Sequence, residues 1–126
     1  MSILEQESFI SSIHPFENLT SNQLETFVEN IDIVYFKENE IVQKQDSEPT
    51  HLYFVLKGLI QEKQEDEVLS LYSKNEIFDS ISLIENYSKN SFITAEETIC
   101  YTLPREIFIS ILHENTILKN YFQFYL

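Results

Sequence analysis

Apolar residues recur at helical spacing near both ends of the chain and at close to alternate positions between them. In SILEQESFISSI, Ile3, Leu4, Phe9, Ile10 and Ile13 share one side of a helical wheel. His14-Pro15 closes that segment, because proline disfavours helix in the residue before it. In LTSNQLETFVENI, Leu24, Phe27, Val28 and Ile31 form a stripe at i, i+3, i+4, i+7, with Thr20 or Ser21 placed to cap it. Phe16 and Leu19 stand between the two helices as anchors for the turn. The pattern predicts leading helices over residues 1–30.

From residue 31 the period falls to near two, and residues 31–103 read as short strands rich in β-branched and aromatic side chains. KEN, QDSEP, KG, QED and SKN punctuate them. HLYFVL is almost unbroken in apolar residues, as expected of a central strand covered on both faces. Gly58, the only glycine, falls between two strands and marks a positive φ or a close backbone approach. In ETICYTL, Ile99, Tyr101 and Leu103 share one face. Pro104 then opens the helix REIFISILHEN, and Asn115 ends it or caps the next, NTILKNYFQFYL. The predicted fold is α+β: an antiparallel β-sandwich or jelly roll (double-stranded β-helix) with N-terminal and C-terminal helices over 1–30 and 104–126.

The last helix is apolar on more than one side. Ile117, Leu118, Tyr121, Phe122 and Tyr125 either pack back on the sandwich or meet a partner, which would make a homodimer through the C-terminal helices. The chain also reads as a piece of a longer protein whose downstream domains follow.

Length and composition add boundaries. A chain of 126 residues is expected to fold as a single domain, 1–126, with a core large enough to need no disulfide or metal. Acidic residues outnumber basic ones by 21 to 8, which sets a net charge of −13 against a nucleic-acid surface. The lone Cys100 and the absence of a long apolar run or basic leader point to a soluble cytoplasmic protein away from the membrane. His14, His51 and His113 are far apart, so no metal or cofactor site is expected. Cys100 lies in a core strand, and QEKQEDEV reads as a solvated hairpin tip. The chain alone is not expected to be an enzyme.

The stretch IFDSISLIENYSKNSFITAEE, residues 77–97, has the layout of a loop, a short helix and a return strand. Phe78, Ile81, Leu83, Ile93 and Ala95 supply its apolar positions. With HPFENLTSNQLETF, YFKENEIVQKQDSEPTHLYFVLKGLIQ and NEIFDSISLIENYSKNSFITA in fixed order, the chain resembles the cyclic-nucleotide-binding domain of catabolite activator proteins and cyclic-nucleotide-gated regulators. Within that family, SFITAEETICYTLPREIF resembles the N-terminal sensor domain of bacterial signalling proteins that continue into a CBS-domain pair and a nucleotidyltransferase-type module. The resemblance implies a regulatory, signal-transducing domain with residues 77–95 as its phosphate cassette.

In the nucleotide-binding members, glycine lets backbone amides approach the phosphate, glutamate holds the ribose and arginine neutralises the charge. Here Asp79 stands at the glycine position and Ser80 at the glutamate position. Lys89 aligns with the arginine, and Asn90 and Ser91 follow. Asp79 is expected to cap the free amides of the cassette helix itself. The resemblance thus implies a degenerate cassette formed by Phe78, Asp79, Ser80, Ile81, Ser82, Leu83, Lys89, Asn90 and Ser91, without tight binding of cyclic AMP or cyclic GMP. Two uses stay open for Ser80, Ser82, Lys89, Asn90 and Ser91. They line a pocket for another nucleotide-like ligand, or they merely finish a helix and a solvated loop. The further alternatives are a protein-interaction module and the sensor half of a transcription regulator.

Overall fold

The change of period near residue 31 is where helix gives way to sheet. In the computed structural model, described over residues 2–124, α1 (Ile3–Ser11), a 3₁₀ turn (Phe16–Asn18) and α2 (Ser21–Asn30) precede the strands. Thr20, not Ser21, caps α2. Its hydroxyl accepts from the Gln23 amide while the Gln23 side chain accepts from the Thr20 amide, a reciprocal capping box. The strands are β1 (Asp32–Phe36), β2 (Ile41–Gln43), β3 (His51–Lys57), β4 (Ile60–Gln64), β5 (Glu67–Tyr72), β6 (Ile77–Phe78), β7 (Ser91–Thr94) and β8 (Thr98–Pro104). A short helix, α3 (Ser80–Glu85), joins β6 to β7, and α4 (Arg105–Glu114) and α5 (Thr116–Tyr121) follow β8.

All strand pairs are antiparallel, in two four-stranded sheets ordered β1-β8-β3-β6 and β2-β7-β4-β5. The expected α+β sandwich is thus the fold, and HLYFVL is indeed an inner strand. Alternation along β3 and β8 divides the interior in two. Leu52, Phe54, Tyr101 and Leu103 face the helices, where they meet Ile10, Phe16, Phe27, Phe108 and Leu112. Val55 and Cys100 face the second sheet, where they meet Ile60, Phe78 and Phe92. Burial there pushes the Cys100 thiol up to about 12, so it is a packed side chain and no nucleophile. Gly58 has φ +108°, and a Cβ on it would collide with the Thr98 hydroxyl and lie 2.5 Å from the Glu97 carbonyl oxygen. It meets both of its expected requirements.

Several apolar residues fall elsewhere than periodicity predicts. Ile3 and Leu4 are largely exposed, because the first turn of α1 overhangs the core that Phe9, Ile10 and Ile13 join. Pro104 ends β8 and caps α4 instead of lying inside it. The terminal apolar face also splits. Leu118 and Phe124 are fully buried and Phe122 packs against Phe16 and Phe108, while Ile117 and Tyr121 stay exposed. Two of the four described residues of that face, Leu118 and Phe122, are therefore used internally. Tyr125 lies outside the described residues.

Asn115 ties the two helical ends of the chain together. Its side-chain oxygen accepts from the Leu118 amide at 3.1 Å, capping α5, and its amide donates to the Asn18 carbonyl at 3.0 Å and to Gln23 at 2.9 Å. Replacing it by alanine removes a cap, a buried hydrogen bond and a part-buried one, so Asn115→Ala is expected to cost about 2–4 kcal/mol. Urea unfolding followed by circular dichroism measures this, and an unchanged midpoint would contradict it.

Candidate functional site

β6 delivers Phe78 to the space between the sheets, and the chain must then turn sharply to start α3. Asp79 makes that turn with φ +56° and ψ +40°. This is the left-handed region that glycine enters freely and aspartate tolerates better than most residues. Asp79 thus adopts, with a side chain in place, a backbone conformation that glycine enters most freely.

The Asp79 side chain does not cap α3, contrary to expectation. The Ser82 amide instead meets the Asp79 carbonyl at 3.2 Å, and the carboxylate accepts from Gln43 Nε2 at 2.6 Å. Gln43 comes from β2, and its amide also reaches the buried Ser88 hydroxyl at 3.0 Å. Ser88 in turn donates to the Asn90 carbonyl at 2.8 Å. The Asn90 side chain donates to Glu62 on β4 at 2.6 Å, and Tyr72 on β5 donates to the other oxygen of that carboxylate at 2.7 Å. Three strands, the turn after β6 and the loop after α3 are thus joined around two carboxylates, Asp79 and Glu62.

Burial raises the Asp79 carboxyl above its ordinary range, and the neighbouring Glu62 charge raises it further. Ser82 and Gln43 oppose this, although Ser82 closes no capping hydrogen bond. Tyr72 is pushed up to about 12 by burial and by its bond to Glu62. Aromatic rings fill the space beneath. Phe78 stacks on Phe92 with centroids 4.8 Å apart and on Tyr53 at 5.3 Å, and Tyr72 lies 5.5 Å from Phe78.

The expected site residues part company here. Phe78, Ser82 and Leu83 are buried, Ser80 and Ser91 are half-buried, and Ile81 is 61% exposed, so Ile81 does not fold the cassette inward. Lys89 faces solvent, its Nζ 4.0 Å from Glu85, because the loop after α3 is pinned by other atoms. The Asp46 amide meets the Ser88 carbonyl and the Ser88 amide the Ser47 carbonyl, both at 2.8 Å. The Gln45 amide reaches the Ser91 hydroxyl at 3.1 Å, and the Tyr87 hydroxyl binds Asp46. Arg105, the only arginine, donates to the Leu83 carbonyl at 2.6 Å and so fastens α3 to the start of α4. Gln43, Glu62, Tyr72 and Ser88 escaped the sequence reading. Glu62 lay inside QEKQEDEV, and its inward turn shows only in the alternation of β4, where Ile60 and Glu62 share a side.

A sequence profile described as the cyclic nucleotide-binding domain matches residues 33–115, more than half of the chain. The chain belongs to that family. Solved structures of the same fold include the sensor domain of the transcriptional regulator DNR from Pseudomonas aeruginosa, at 15% identity and TM-score 0.78, covering 86% of this chain and 81% of that one. The regulatory domain of Toxoplasma gondii protein kinase A, crystallised with cAMP, is 17% identical at TM-score 0.78, covering 86% of this chain and 44% of that one. The regulatory subunit of a cAMP-independent protein kinase A from Trypanosoma cruzi, bound to guanosine, is 13% identical at TM-score 0.77, covering 93% of this chain and 45% of that one. At these identities the likeness carries the fold. No curated protein matches the chain by sequence. Among the described residues of this cyclic-nucleotide-binding domain, no cluster of three or more His, Cys, Asp or Glu could hold a metal, and no helix is long and apolar enough to cross a membrane.

The raised Asp79 carboxyl has a consequence for stability. The native state holds the Asp79 proton more readily than the unfolded chain does. The group therefore favours folding most below the ordinary aspartate range, and that contribution is lost as pH rises through its raised value. Asp79→Asn keeps an acceptor for Gln43 and tolerates the left-handed backbone. It is expected to raise the urea midpoint at pH 7, with the gap over wild type closing in acid. A variant less stable than wild type at pH 7 would contradict this.

Proposed function

We propose that this domain is a regulatory sensor whose cassette has kept the family frame and given up tight binding of cyclic nucleotides. One observation carries the reading: the cassette's lysine, Lys89, faces solvent while two half-buried carboxylates, Asp79 and Glu62, hold the loop after α3. A cyclic phosphate entering beside Asp79 meets like charge where it needs a cation, and Lys89 lacks the bidentate fork of arginine. Each charge-assisted contact contributes about 1.5–3 kcal/mol. Losing two of them and adding repulsion weakens affinity by roughly a thousandfold or more.

The same carboxylates favour a neutral nucleotide-like ligand, whose hydroxyls donate to them. The guanosine in the Trypanosoma structure is of that chemical kind. Regulation passes from the cassette through Arg105 to α4, and so to a fused or partner module. The SFITAEETICYTLPREIF resemblance favours a nucleotidyltransferase-type module behind a CBS pair in the bacterial cytoplasm. The DNR sensor domain favours a transcription regulator as the alternative output. Calorimetry with cyclic AMP and cyclic GMP on the purified domain is expected to show no saturable binding below the millimolar range. Low-micromolar affinity for either would overturn the reading.

A further inference from the structure

A cavity of about 180 Å³ lies between β2, β3 and the turn that joins them. Its lining includes neither Asp79 nor Glu62, so it is separate from the carboxylates of the cassette. At roughly 30 Å³ for each water of the liquid, the space equals about six waters, well below a drug-sized site.

Several polar groups around this cavity are free or weakly held. Gln43 is only 7% exposed, and its Nε2 is spent on Asp79 and Ser88, yet no described residue donates to its Oε1. No buried side-chain oxygen or nitrogen among the described residues lacks a partner, so this oxygen is not sealed and meets accessible space. The Tyr53 hydroxyl has one long hydrogen bond, 3.5 Å to the Val42 carbonyl. Lys44 and Glu48 are exposed, and neither is in an ion pair: those among the described residues are His14–Glu17 and Lys89–Glu85. In the same turn, the backbone amides of Glu48 and Thr50 donate to no described residue.

We propose that this cavity binds a small zwitterionic α-amino acid. The two signs of charge specify it. Lys44 and the free amides of Glu48 and Thr50 are donors for a carboxylate, whereas the Glu48 carboxylate and Gln43 Oε1 are acceptors for an ammonium. A simple anion would meet Glu48, and a simple amine would meet Lys44; a zwitterion satisfies both. The volume suits the skeleton of L-alanine or L-serine and is too small for a nucleotide. Half-buried Val42 offers apolar contact to a short side chain.

Occupancy reaches the cassette through two existing links. Gln43 carries Asp79 and Ser88 on the same amide nitrogen, and Ser47 of the turn accepts from the Ser88 amide. A ligand that fixes Gln43 and the turn therefore steadies the loop after α3, whatever the cassette itself binds.

Titration of the isotope-labelled domain, followed by amide chemical shifts, tests the proposal. The probes are L-alanine and L-serine at neutral pH, with acetate and methylammonium as controls that carry one charge each. Saturable shifts centred on residues 43–53 are expected, with a dissociation constant on the order of 0.1–1 mM for so small a ligand. Each control should bind at least about tenfold more weakly, since it forgoes one set of charge-assisted contacts. Lys44→Gln and Glu48→Gln should each weaken L-alanine at least about tenfold, while Lys74→Gln, outside the lining, should not. Circular dichroism of these exposed substitutions is expected to match wild type. With L-alanine bound, the Ser88 amide should exchange with solvent more slowly, and unchanged exchange would overturn the coupling. No saturation by either amino acid to the order of 50 mM would overturn the proposal, as would shifts centred on residues 62, 72 and 79 instead. Acetate binding as tightly as L-alanine would overturn the amino-acid assignment and leave an adventitious ion only.

Discussion

The rest of the molecule is arranged around the antiparallel pairing of β3 with β8. β3 carries large apolar side chains on both faces and β8 adds Tyr101 and Leu103 to one and Cys100 to the other, so each face of their sheet must be covered. Burying one such side chain stabilises by roughly 1.5–3 kcal/mol, which makes leaving either face wet untenable. The helices cover one face through Phe16, Phe27, Phe108 and Leu112, and the second sheet covers the other through Ile60 and Phe92. Gly58 follows β3 because the chain passes against Thr98, where β8 begins. The helical layer and the inter-sheet space are thus two answers to one demand.

The cassette lies at the rim of the inter-sheet space and obeys a different rule. Its interior is polar, and a buried polar group without a partner costs about 1–3 kcal/mol. Gln43 resolves this by serving Asp79 and Ser88 together, and Glu62 by accepting from Asn90 and Tyr72. The loop after α3 is held by backbone pairs to residues 46 and 47, and Lys89 on it is left facing solvent. The cassette is therefore shaped by its own hydrogen bonds even before any ligand is considered.

Sequence patterning revealed the strands, the short helix between β6 and β7, the capping of α2 and the central place of HLYFVL, because each depends on periodicity or on local backbone chemistry. It misplaced Ile3, Leu4 and Ile81, since helical spacing does not say where a helix overhangs the surface it packs on. The terminal face was harder still: Leu118 and Phe122 look like interface residues until the burial of Leu118 and the contacts of Phe122 with Phe16 and Phe108 are known. The network of Gln43, Glu62 and Tyr72 was hidden for a further reason. Its members come from three different strands, and no local pattern marks residues that meet only through sheet pairing.

Cys100 gives the two-faced sheet a built-in witness. Its thiol is sealed between the sheets and held far from ionisation, so an alkylating reagent in neutral solution has neither a path to it nor a thiolate to attack. The rate at which that single sulfur becomes labelled therefore counts the moments when the two sheets part. It turns the opening of the sandwich, otherwise silent, into a chemical clock.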